Sequence, residues 1–138
     1  MTKVFTLSKQ ERLKSRKLIE QLFREGKSIS IFPYRVLYLP VNVADTRLTA
    51  TLQSGVAVSS KNFKKAVHRN KIKRLTREAY RLQKAGLQQK LTETGKQLIL
   101  FFIYTGRELP VFLLVKEKVQ VILDKLILII DENRSPHT

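Results

Sequence analysis

One stretch narrows the possible folds of this chain more than any other. Ser59–Lys84 reads SSKNFKKAVHRNKIKRLTREAYRLQK and carries ten of the 27 Lys and Arg residues against a single acid, Glu78. At about 100° per residue, Ile72, Leu75, Ala79 and Leu82 fall on one side of a helix. Arg69, Asn70, Lys73, Arg74, Arg77, Arg81 and Lys84 gather on the other side, within about a third of the circumference. The apolar and basic periods agree, so one face enters a core and the other presents a cationic stripe. A helix face that is merely solvated interleaves acids with its bases at i,i+4. With Glu78 as the only counter-charge, this face reads as a binding surface.

The rest of the composition indicates what is bound. The 138 residues suggest one domain spanning 1–138, and 43% apolar content is enough for a core. The formal charge of +16 suits a polyanionic partner. Nucleic acid is favoured over a membrane surface, because the basic helix has no Trp or Phe anchor on its apolar face. No cysteine is present, which excludes disulfides and thiolate metal sites and fits a reducing compartment. The N-terminal residues lack the apolar core of a signal peptide, and the longest apolar run, Leu98–Tyr104, is too short to span a bilayer. Cytoplasmic residence is the expectation.

Taken in order, residues 1–8 read as a loose arm. Ser8 and Glu11 form a capping-box pattern. A helix follows from Lys9 or Ser15 to Glu25, with Leu18, Ile19, Leu22 and Phe23 as its stripe and Gly26 as its C-cap. Leu13 is out of phase with that stripe, which makes the first turn a separate piece. Ser28–Leu39 reads as strand, bulged or broken in two at Pro33. Pro40 and Asn42–Asp45 read as loop, and Leu48–Ser59 as a strand paired antiparallel with the one before. Regular helix begins near Lys65. Residues 85–96, with Gly86, Thr92, Thr94 and Gly95, read as connector. Leu98–Tyr104 is a strand covered on both faces, and Gly106–Pro110 a turn. Val111–Ile130 is an amphipathic helix with Val111, Leu114, Val115, Val119, Ile122, Leu123, Leu126, Ile127 and Ile130 on one face. Residues 131–138 are expected to fray. This order predicts an α+β domain, a two-layer α/β sandwich with a mixed sheet and the basic helix as a crossover, right-handed by default.

Little here could break a bond. The two histidines are His68, in the basic stretch, and His137, at the extreme C-terminus. The acids stand singly apart from Asp131–Glu132, and no Gly-rich phosphate loop or nucleophile motif appears. The protein alone is a poor candidate for an autonomous ribonuclease. Arg and Lys of the stripe suit phosphate, and Asn70 suits a base edge, a 2′-hydroxyl or backbone. Phe23, Phe32, Tyr34 and Tyr38 suit either stacking on unpaired bases or the core, with core the commoner use. Phe101 and Phe102 are assigned to the core. An RNA-binding protein with a structural role, such as a ribosome-associated one, remains open on this evidence.

Lys64–Glu78 resembles the protein component of bacterial ribonuclease P. That family is marked by Ala-Val, Arg-Asn, Lys-Arg and a further Arg, here Ala66-Val67, Arg69-Asn70, Lys73-Arg74 and Arg77. Arg12-Leu13, Phe23, Gly26, Val36-Leu37-Tyr38 and Gly55–Ser59 add to the resemblance, which covers most of residues 8–104. It implies a subunit of the endonuclease that removes the 5′ leader from precursor tRNA. The catalytic RNA subunit would hold the Mg²⁺ ions and do the chemistry. It also implies an α/β sandwich with a left-handed crossover. By the same resemblance Lys64, Lys65, Arg69, Asn70, Lys73, Arg74, Arg77 and Arg81 face RNA, and Phe23 and Tyr38 line a leader cleft between the first helix and the sheet. The family often has a second aromatic one helical turn before Phe23, where this chain has Ile19. No protein partner is implied.

Overall fold

A computed structural model describes residues 9–41 and 50–133. Their order is a 3-10 turn (Lys9–Glu11), α1 (Arg16–Glu25), β1 (Lys27–Ile31), β2 (Tyr34–Val41), β3 (Leu52–Val58), α2 (Ala66–Gln83), α3 (Ala85–Thr94), β4 (Gln97–Tyr104) and α4 (Phe112–Asn133). The first turn is indeed separate from α1. Ser15 caps α1, its hydroxyl accepting from the Leu18 N–H at 3.2 Å, and the Gly26 N–H closes the helix on the Leu22 carbonyl. Ser8, Leu48 and Asn42–Asp45 lie outside the described residues.

The four strands form one mixed sheet in the order β1-β2-β4-β3. Phe32-Pro33 turns β1 into β2, which pair antiparallel, so Pro33 breaks the predicted strand in two. The expected antiparallel pairing of β2 with β3 does not form. β4 lies between them, antiparallel to β2 and parallel to β3. The physical reason lies in β4: a strand apolar on both faces is most stable where it has two neighbouring strands and two covered faces. Pro40 belongs to β2 rather than to a loop, and lies beyond the Tyr34–Tyr38 stretch that β1 pairs, where its missing N–H is tolerated.

Side chains alternate across the sheet. Tyr34, Val36 and Tyr38 of β2 and Leu98, Leu100, Phe102 and Tyr104 of β4 join the main core with Ile72, Ala79 and Tyr80 of α2, Leu87 and Leu91 of α3, and Val115, Val119, Ile122, Leu126 and Ile130 of α4. Leu37 and Ile99 point the other way and pack with Leu13, Leu18 and Leu22 beneath α1. The core face of α2 is therefore Ile72, Thr76, Ala79 and Tyr80, with Leu75 and Leu82 only half-buried. Thr76 enters the core because its hydroxyl bonds the Ile72 carbonyl at 2.9 Å and the Tyr34 hydroxyl at 2.6 Å.

The stretch read as connector is α3. Leu87 and Leu91 bury its inner face, and Thr92 and Thr94 donate to the Gln88 and Lys90 carbonyls at 3.0 and 2.9 Å, satisfying their hydroxyls within the helix. Gly95, at φ 67°, ends it, and the Lys96 N–H returns to the Leu91 carbonyl at 3.0 Å. At the other end of the chain α4 runs on to Asn133, past the expected fraying point, and Asp131 meets Lys90 at 3.3 Å. Val111 and Leu114, predicted on its buried stripe, are exposed, because they stand at the start of α4 on an open cavity at the end of β4.

Candidate nucleic-acid interface

The tertiary structure divides the cationic stripe of α2 into side chains with different duties. Asn70 and Arg74 are exposed and Lys73 is half-buried. None of the three side chains is engaged by another described group. Lys64 and Lys65, also exposed, stand where α2 begins, and no side chain caps its first turn, so the positive helix end adds to their field. Arg69 turns back instead, its guanidinium donating to the Phe63 and Lys64 carbonyls at 2.8 Å each, and so fixes the loop that leads into α2. Arg81 grips Glu78 with two bonds, of 3.0 and 2.6 Å. That bond lowers the Glu78 pKa and raises that of Arg81. Lys84 is not on the stripe. It is 1% exposed and ion-paired with Glu11 of the 3-10 turn, because α2 ends there and the chain bends into α3.

Arg77 leads from this face to a second surface. With Arg12, Lys14, Ser54, Gly55 and Phe101 it lines a cavity of about 240 Å³ on the α1 side of the sheet. No acid is among the lining residues, and partial burial together with the neighbouring Arg12 guanidinium lowers the Arg77 pKa. A site that holds two guanidinium groups together is completed by an anion. Arg12 and Lys14 are brought there by the segment before α1, which runs beside β3. The Leu13 N–H donates to the Ser54 carbonyl at 2.9 Å, and the Gln53 amide to the Gln10 carbonyl at 2.8 Å.

Phe23 belongs to this surface. It is 55% exposed, and its ring meets that of Phe101 edge-on, with centroids 5.5 Å apart. Phe101 comes from the face of β4 opposite Phe102: it packs against the α1-side cluster, as a core assignment expects, but is only half-buried and also lines the cleft. Gly55 pairs with it on β3, and a Cβ there would stand 2.7 Å from the Phe101 ring. A glycine within an apolar strand was the available signal of close approach, and strict alternation would have separated Phe101 from Phe102. Ile19 packs between α1 and the sheet.

Tyr38 does not line this cleft. It sits one residue from Leu37, so its side chain points to the opposite face, where it is 7% exposed in the main core and its pKa is raised by burial. The structure thus joins Phe23 to Arg77 through Phe101 and leaves Tyr38 apart. Arg12, Lys14 and Phe101 line the cleft, and helical periodicity could not place them there.

A family model described as Ribonuclease P matches residues 7–126. The chain is 40% identical over 116 residues to the Ribonuclease P protein component of Porphyromonas gingivalis, covering 84% of this chain and 82% of that one. It is 36% identical over 124 residues to that of Chlorobium phaeobacteroides, covering 84% of each. The RNase P protein from Thermotoga maritima superposes with a TM-score of 0.62 at 29% identity, over 83% of this chain and 96% of that one. Sequence family, relatives and fold agree, and this chain belongs to the ribonuclease P protein family.

Proposed function

We propose that this protein is the RNA-binding subunit of a ribonucleoprotein endonuclease, ribonuclease P, which removes the 5′ leader from precursor tRNA. The continuity of the two cationic surfaces through Arg77 carries the reading: one residue belongs to the face of α2 and also lines the cleft. In this reading Asn70, Lys73 and Arg74, with Lys64 and Lys65, hold the backbone of the catalytic RNA subunit. The cleft takes the single-stranded leader, unpaired bases meeting Phe23 and Phe101 and phosphates meeting Arg12, Lys14 and Arg77. Arg69 and Arg81 contribute chiefly by shaping and neutralising their own neighbourhoods.

The phosphodiester hydrolysis and its Mg²⁺ are assigned to the RNA subunit. Among the described residues no three His, Asp or Glu side chains converge to hold a metal, and the cleft lining is cationic, so this donor set does not fit a protein-held Mg²⁺. The protein's part is to neutralise phosphate repulsion and to fix the leader. No described helix is long and apolar enough to cross a membrane, which accords with work in the cytoplasm, where precursor tRNA is met.

The test is reconstitution with a cognate RNA subunit and precursor tRNA at low Mg²⁺. The purified chain alone leaves the leader intact. Added to the RNA, it raises the rate of leader removal and lowers the Mg²⁺ needed. Absence of any stimulation refutes the assignment.

A further inference from the structure

A second and larger cavity, of about 530 Å³, opens where β4 ends. Its walls are the β1–β2 turn, with Phe32 and Pro33, and the β4–α4 loop, with Arg107 and Leu109, and Tyr104 forms its floor. The walls are held in place. Thr105 donates to the Pro33 carbonyl from both its N–H, at 2.7 Å, and its hydroxyl, at 3.0 Å. The Tyr104 hydroxyl donates to the Glu108 carbonyl at 2.7 Å. Gly106 is needed for this closeness, since a Cβ there would stand 2.8 Å from the Tyr104 hydroxyl oxygen.

Phe32 is 76% exposed, at the tip of a tight turn where folding gains little from an aromatic ring. The cavity also adjoins the loop that leads into α2. The Phe63 ring lies 6.0 Å from that of Tyr104, and the Asn62 amide reaches the Gly106 carbonyl at 3.5 Å. Lys61 and Lys64 flank those two residues in the chain, and both are exposed. The slot itself carries one cation, Arg107, beside one acid, Glu108, and Lys61 and Lys64 lie in the adjoining loop. An exposed ring, an apolar slot and nearby cations are the parts that a single-strand binder uses to hold a base and its phosphates. A second copy of this chain is a poor occupant, because each carries a formal charge of +16.

We propose that this cavity is a second RNA site, taking one unpaired nucleobase on Phe32, with the flanking phosphates at Arg107 and Lys61 or Lys64. It rests on the function proposed above only for the nature of the polymer, RNA. The occupied cavity would extend the cationic track beyond the N-terminal end of α2, away from the leader cleft.

The experiment compares the full chain with Phe32→Ala, Phe32→Tyr and Arg107→Ala, and with Phe23→Ala and Arg74→Ala as markers of the surfaces already described. Binding of a fluorescein-labelled ten-nucleotide oligoadenylate is followed by polarisation. Thermal unfolding is recorded for each variant, and a photoreactive 5-iodouridine oligonucleotide maps the contact peptide. Phe32→Ala weakens binding about five-fold or more, as loss of one stacked base does. Phe32→Tyr retains binding, Arg107→Ala weakens it, and the crosslink falls on the peptide containing Phe32, with unfolding midpoints unchanged. If the Phe32 variants match the parent while Phe23→Ala or Arg74→Ala weakens binding, the second site is refuted and the RNA-binding reading stands. A cavity that serves a protein partner gives this same pattern. If no variant weakens binding, both readings fall.

Discussion

Arg69 and Arg74 stand little more than a helical turn apart and carry the same guanidinium group, yet they differ in what they hold. Arg69 spends its donors on the Phe63 and Lys64 carbonyls, whereas Arg74 extends into solvent without a described partner. Arg69→Ala is therefore expected to lower stability by about 1 kcal/mol, through two lost charge-assisted bonds on a half-buried residue, seen as a lower urea midpoint. Arg74→Ala is expected to leave the midpoint unchanged and to reduce the log–log salt slope of RNA binding by about 0.7–0.9, the share of one phosphate contact. Equal urea midpoints for the two variants, or an unchanged slope for Arg74→Ala, contradict this division. The predicted stripe took in both residues, but about 140° separates them on the helix, and Arg69 falls beside the Thr76 and Tyr80 positions of the core face, where it is half-buried. What a long side chain on that edge reaches, here the carbonyls of the preceding loop, a helix wheel does not say. The same limit explains Tyr38 and Phe101. Each belongs to an apolar strand, and only the packing of α1 on one face of the sheet says which side of that strand is cleft and which is core.

At the scale of elements, the Glu11–Lys84 ion pair ties the 3-10 turn to the junction of α2 and α3, and with it the segment that carries Arg12 and Lys14 to the cleft. Lys84 is 1% exposed, so Glu11→Ala removes the carboxylate that offsets its buried charge, and a loss of about 3 kcal/mol is expected. Replacing both partners with apolar residues, Glu11→Leu with Lys84→Met, should recover most of it, since the desolvation of both charges is then removed. A double-mutant cycle in urea checks this, and additive losses would show that the two residues act separately. α1, α2, α4, β4 and the break at Pro33 were legible because each has a strong period, a cap or a proline. α3 was not. Its Gly86, Thr92, Thr94 and Gly95 carry turn propensity, and only burial of Leu87 and Leu91 under α4 and the sheet outweighs it. The pairing of β2 with β4 rather than β3 was illegible for a related reason: closeness in sequence favours a hairpin, but the apolar faces of β4 take the central place in the sheet.

Across the whole molecule, the buried tyrosines set an alkaline limit. Burial raises the Tyr34 pKa to about 12, against the smaller opposing effect of its hydrogen bond to Thr76, and burial raises the Tyr80 pKa as well. The unfolded chain ionises near the ordinary value of about 10 and so loses protons first. Stability is expected to hold up to about pH 10 and to fall between about 10 and 12, by roughly 3 kcal/mol from Tyr34 alone. Urea midpoints measured across that range check it, with Tyr34→Phe flattening the decline, and a midpoint constant to pH 12 contradicts it. The sequence by itself determined that one helix has a core face and a cationic face, that the chain suits a polyanion, and which family it resembles. These follow from periodicity, net charge and residue spacing, which are local or summed properties. Arg69 and Arg81 are occupied within their own stretch of chain, by the Phe63 and Lys64 carbonyls and by Glu78. Tertiary structure alone decided that Lys84 is buried against Glu11, and that Arg77 meets Arg12 over Phe101 in a cleft that excludes Tyr38. Burial and long-range pairing depend on which distant elements come to share a space, and in the basic stretch that separates the charges left exposed from Lys84, which holds the fold.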